Sequence, residues 1–144
     1  MANLAAPTPR TYEIRADSDE LDYPQGAEQT WEGSALTDAG SPGAGTNVIH
    51  TLVAGENFVG FANTSQNNAS GSAGGITINV KGKGCVKLSV TGVTAASVGK
   101  KVYASDGNTF TLTSISNTLI GVIKQIVSGI VCMVEFAGEG FQVG

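Results

Sequence analysis

Three short β-rich runs, Val102 to Thr113, Leu119 to Ile123 and Val131 to Phe136, stand close together in the last third of the chain and are separated by turn chemistry. Asp106-Gly107-Asn108 can populate φ > 0, which a tight hairpin needs, so its flanks are expected to pair as antiparallel strands. Twenty glycines and abundant Thr, Ser and Val, with only 14% charged residues, favour strands and turns over long helices. None of the three runs carries catalytic equipment. Such a chain builds a surface, and contact is its expected role.

A length of 144 residues fits one domain, which buries roughly two thirds of the unfolded chain's surface and needs no disulfide or metal to hold it. Charge is distributed unevenly. Residues 1 to 60 hold nine acids and two bases, a net of -7, whereas residues 61 to 144 hold six lysines and three acids, a net of +3. The acidic front argues against nucleic acid as a partner, because phosphate binding needs clustered positive charge. No apolar stretch approaches the roughly 20 residues that span a bilayer, and no basic-then-apolar leader opens the chain, so a soluble product of the cytoplasm is expected, with no membrane partner. Cys85 and Cys132 lack CxxC spacing and histidine company, and buried free thiols are expected.

Residues 1 to 9 carry two prolines and should be extended. In Thr11-Tyr-Glu-Ile-Arg15, Tyr12 and Ile14 point one way and Thr11, Glu13 and Arg15 the other, the pattern of one half-buried strand. The acidic stretch from Asp17 to Asp22 isolates it, so it must pair either with this domain's sheet or with a neighbouring molecule. Residues 28 to 36 read as a strand anchored by Trp31, Gly40 to Gly45 as a loop, and Val48 to Val53 and Phe58 to Ala62 as further strands. Trp31, Phe58 and Phe61 are expected in the core. Asn63 to Gly75 is too rich in Ser, Asn and Gly to fold on its own and reads as a surface loop. Ile76 to Val80 and Cys85 to Val90 fit two strands around a glycine turn, and Thr94 to Gly99 fits a single helical turn capped by Thr94.

The chemical motifs are weak. His50 is the only histidine, it lies in an apolar run, and no Gly-x-Ser-x-Gly elbow accompanies it, so a satisfied or exposed strand histidine is expected rather than a hydrolase centre. The acids from Asp17 to Asp22 lack EF-hand order and read as a solvated linker. Gly71-Ser-Ala-Gly-Gly75 lacks the Gly-Lys-Ser/Thr ending of a phosphate loop. Lys81, Lys83 and Lys87 form a modest positive ridge of the kind that protects a sheet edge. No catalytic residue, metal or cofactor is expected.

Leu88-Ser-Val-Thr-Gly-Val-Thr-Ala-Ala-Ser-Val-Gly-Lys-Lys-Val-Tyr-Ala-Ser-Asp-Gly-Asn-Thr-Phe-Thr-Leu-Thr113, followed by Leu119-Ile-Gly-Val-Ile123 and Val134-Glu-Phe136, resembles the capsid cement (head decoration) proteins of tailed bacteriophages. Trp31 to Ala35 and Phe58 to Ala62 look like the same family's patterns. The resemblance implies a β-rich, non-enzymatic virion protein on the outer surface of an icosahedral head, bound to the major capsid protein at symmetry axes and to itself as a homotrimer or homodimer.

The expected fold is all-β: a small antiparallel β-barrel or sandwich of jelly-roll or β-tulip type spanning residues 27–144, with an extended N-terminal arm over residues 1–26 and at most one short helix. Arg10, Thr11, Tyr12, Glu13, Ile14 and Arg15 are the candidate capsid-binding residues, able to add as a strand to an exposed sheet edge. The competing expectation is a carbohydrate- or receptor-binding β-sandwich on a virion surface.

Overall fold

The computed structural model describes residues 3–12, 20–40 and 46–141. It is an all-β protein. Five strands form a closed barrel in the order β10-β8-β12-β11-β9: β8 (Lys83–Thr91), β9 (Lys101–Asp106), β10 (Thr109–Thr111), β11 (Thr118–Ser128) and β12 (Val131–Ala137). Five more form an open antiparallel sheet in the order β1-β7-β5-β3-β4: β1 (Glu20–Pro24), β3 (Ala35–Asp38), β4 (Ile49–Thr51), β5 (Asn57–Ala62) and β7 (Thr77–Lys81). A two-stranded ribbon pairs β2 (Gln29–Thr30) with β6 (Gln66–Asn67).

The barrel is built on the three runs that dominate the sequence. β12 alternates inward Cys132, Val134 and Phe136 with outward Glu135, and pairs antiparallel with β11 on one side and β8 on the other. Register shifts at Leu119/Gly121, Ile123/Gln125 and Ile126/Ser128 curve β11, which is how so few strands close on themselves. Closure also needs one parallel contact, Phe110 and Thr111 of β10 beside Val90 and Thr91 of β8. The Asp106–Asn108 hairpin forms, but without the positive φ that its composition allows. Asp106 shapes it instead: Oδ1 accepts the Asn108 amide at 2.9 Å and Oδ2 the Thr109 hydroxyl at 3.0 Å.

The open sheet lies against the barrel and closes its interior. Phe58 and Phe61 of β5 enter one core with Val86, Leu88, Val102, Phe110, Ile123, Val134 and Phe136 of the barrel. Residues three apart on a regular strand face opposite sides. Both phenylalanines reach the barrel because β5 carries an extra residue: Gly60 lies opposite Leu36 and Phe58 opposite Thr37, leaving Val59 between them. Val59 and Ala62 join Leu36, Ile49, Ile78 and Val80 in a second cluster on the other face, with Tyr23 packed against it.

Several sequence expectations are revised. Ile76–Val80 and Cys85–Val90 do not form a hairpin, because β1 and β5 already occupy both edges of β7, and the chain passes instead from the sheet into the barrel. The run from residue 28 to 36 is two strands interrupted by a turn, and Trp31 in that turn is half-buried outside both core clusters. Residues 20–24, placed in the arm by their acidic surroundings, are the edge strand β1. The polar segment 63–75 is anchored by buried amides. Asn68 Nδ2 donates toward the carbonyls of Gln25, Gly26 and Ser72 at 2.9 to 3.2 Å, and Gln25 Nε2 toward Gln66, Glu28 and Thr30 at 2.9 to 3.1 Å.

The Thr94 turn is a 3-10 turn over Ala95–Ser97, in which Thr94 accepts the Ala96 amide and Ser97 accepts the Thr94 amide; a second lies at Glu139–Phe141. Cys85 and Cys132 are buried free thiols on neighbouring strands, offset because Cys132 sits opposite Leu88 and Cys85 opposite Glu135. Burial pushes the Cys132 thiol up from its ordinary value.

Candidate functional site

Of the six candidate capsid-binding residues, Arg10, Thr11 and Tyr12 are described; Glu13, Ile14 and Arg15 lie outside the described residues, as do all but the first residue of the loop expected over Gly40 to Gly45. The described part of the strand takes the first of its two options and pairs with its own domain. Tyr12 bridges Val86 and the Thr11 carbonyl accepts the Lys87 amide at 3.1 Å, alongside the part of β8 that β10 is too short to cover. Thr8 and Asn3 extend the docking through the Glu32 carbonyl and the Gly107 amide.

Arg10 staples this segment down. Its Nε donates to the Gly33 carbonyl at 2.8 Å and its NH2 group to Asn108 Oδ1 at 2.9 Å, while the guanidinium lies over the rings of Phe61 and Phe110 at 5.9 and 5.6 Å. Burial lowers its pKa from the usual arginine value, and the neighbouring Tyr12 works in the opposite direction. Tyr12 packs on Phe136, with ring centroids 6.1 Å apart, beneath the Lys81 ammonium at 5.5 Å. Arg10 and Tyr12 are thus occupied within the chain, and only Thr11 of the three is exposed.

The Tyr12 hydroxyl is buried without a hydrogen-bond partner among the described residues, and burial raises its pKa far above the ordinary phenol value. Because the folded state holds the neutral phenol, this group's contribution to stability is complete below the unfolded value of about 10 and declines as pH rises beyond it. Tyr12→Phe is therefore expected to leave stability at pH 7 unchanged or raise it by about 1 kcal/mol, and to flatten the alkaline decline. Urea unfolding of both proteins at neutral pH and above pH 10 checks it; a loss above about 1 kcal/mol at pH 7 would show that the hydroxyl is satisfied.

His50 is held on both nitrogens. Nδ1 lies 2.9 Å from the Thr51 carbonyl and Nε2 2.9 Å from Glu56 Oε1, and that same carboxylate oxygen accepts the Thr37 hydroxyl at 2.9 Å. In a nucleophilic triad the imidazole stands between hydroxyl and carboxylate. Here the carboxylate stands between the other two, so the hydroxyl has no base, and the cluster ties the β4–β5 turn to β3. Among the described residues no group of three His, Cys, Asp or Glu is placed to hold a metal ion.

A concavity lies elsewhere, on the outer side of the barrel where it meets the open sheet. It is a cleft of about 750 Å³ lined by Phe58, Phe136, Tyr103 and Leu119 together with the charged residues Lys83, Lys101, Glu56, Glu135 and Glu139. Its cause is the end of β12. That strand joins β11 only from the Gly121–Phe136 pair onward, and the chain then turns away, the Gly138 amide bonding the Gly82 carbonyl. Thr118 spans the gap, donating to the Glu56 carbonyl at 3.0 Å and accepting the Gly55 amide at 2.9 Å. On either side of Thr118, Ile115 is 80% and Leu119 47% exposed. Sequence reasoning placed Leu119 in a strand but gave no sign of the cleft, whose only local trace is an apolar residue on the outward phase of β11.

No family model matches this chain, and no curated protein matches it.

Proposed function

We propose that this chain is a structural capsid cement protein, which binds the outer surface of an icosahedral phage head between capsomers and holds the mature shell against internal DNA pressure. The observation that supports it best is Ile115, 80% exposed on the turn before β11, where Thr118 ties the barrel to the open sheet. Large side chains in that setting gain free energy when another protein covers them.

Since Arg10 and Tyr12 face their own barrel, the shell contact falls chiefly on the Ile115 turn rather than on the first twelve residues. Each grip is weak alone. Several subunits held together engage several seams at once, which raises avidity by about 10² to 10⁴ without new contacts. Binding only the mature shell stabilises it by mass action, by about 2.7 kcal/mol per site at a concentration of 100 Kd.

Heads prepared without the chain and then incubated with the purified protein are expected to release DNA at a higher temperature than untreated heads, read as nuclease-sensitive DNA. Identical release temperatures would remove the reading. A sugar-binding role has one observation in its favour, the half-exposed Tyr103 ring beside Asn117 in the cleft, and retention on a glycan array would favour it.

A further inference from the structure

We propose that the chain assembles head to tail through two open strand edges of opposite charge, the outer edge of β1 on one copy pairing with residues 118–120 of β11 on the next. β1 is the terminal strand of the open sheet and, among the described residues, pairs with β7 alone. Leu21 stands 51% exposed on it, between exposed Glu20 and Asp22. The start of β11 is one-sided as well: Thr118 and Leu119 pair with Ala104 and Tyr103 of β9, but β12 arrives only at Gly121. Each edge therefore offers main-chain groups to an added strand, and each carries one exposed leucine to bury against it.

The charges select which edges meet. Around the β11 edge, Lys101 and Lys83 have no ion-pair partner among the described residues, whereas Glu56 is held by His50 and Glu135 by Lys124 at 3.7 Å. Glu139 is the one remaining carboxylate among the residues lining the cleft. On β1, Glu20 lies 4.0 Å from Lys81 yet keeps a side-chain exposure of 46%, and Asp22 accepts the Asn79 amide at 2.9 Å while staying exposed. Two β1 edges brought together would set Glu20 and Asp22 against their own copies, which opposes a two-fold contact. β1 against β11 sets the same carboxylates facing Lys101 and Lys83, and charge of this kind fixes partner and register. A contact between two different patches of one chain propagates, and closes into a ring when its rotation allows. The assembly does not depend on what the ring then binds.

Light scattering on a sizing column, over a concentration series, tests this. Wild type is expected to run as an oligomer. Reversing the cleft charges with K83E and K101E, or the strand charges with E20K and D22K, is expected to give monomer, and all four changes in one chain to regain the oligomer. A monomeric wild type, or reversals that leave the mass unchanged, overturns the proposal. A fourfold variant that fails to fold by circular dichroism is replaced by L21C with L119C, whose oxidation is expected to give covalent oligomers on a non-reducing gel; monomer alone there overturns it equally.

Discussion

Phe136→Ala is expected to lower the unfolding free energy by about 3–5 kcal/mol, a large share of the 5–15 kcal/mol typical of a domain. Phe136 is 2% exposed and meets Phe61 edge-on with ring centroids 4.9 Å apart, Phe58 at 6.2 Å and Tyr12 at 6.1 Å. It thus joins the open sheet, the barrel and the N-terminal segment at one point. The cavity left by alanine is bounded by strands fixed in two different sheets, so it cannot readily collapse, and the residual void adds to the lost transfer energy. Urea unfolding with an unchanged denaturant slope is the measurement; a loss below about 1.5 kcal/mol would mean that the three parts do not depend on this ring.

The same residue shows how far the fold could be read in advance. The β-rich run Val131 to Phe136 and turn chemistry at residues 106–108 make the barrel strands legible, since both signals are local. What is lost is whatever depends on partners distant along the chain. The glycines around residues 82 and 84 look like a hairpin turn, yet strand pairing is decided by β1 and β5 having already taken the edges of β7. The Tyr12 strand was legible as a half-buried strand, but its partner Val86 is set by how far β10 extends along β8. Asn68 falls in a segment that reads as a loop and Gln25 in one that reads as an extended arm, because the groups that receive their amides lie elsewhere in the chain: the Gln25, Gly26 and Ser72 carbonyls for Asn68, and the Glu28 and Gln66 carbonyls with the Thr30 hydroxyl for Gln25. The cleft had no signature of its own, because it arises from the point at which one strand stops running beside another.

Gly60→Ala is expected to cost about 2–6 kcal/mol, while Gly55→Ala, at a glycine whose backbone is also left-handed, costs no more than about 1–2 kcal/mol. Gly60 has φ +146°, where side chains are strained, and a Cβ there would fall 2.3 Å from the Lys81 carbonyl oxygen and 2.8 Å from Val80. Gly55 has φ +93°, but nothing lies within 4 Å of its Cβ position, so only the backbone term applies. The difference between the two variants isolates the steric cost of the β5 bulge. That bulge is what turns Phe58 and Phe61 to the same side, so relieving the overlap by slipping β5 one residue would send a phenylalanine out of the barrel core. The strand therefore cannot escape the clash cheaply, and thermal unfolding of the two variants beside wild type should rank Gly60→Ala far below Gly55→Ala. Equal losses would show that β5 tolerates a regular register and that the pairing of these two rings in one core does not depend on Gly60.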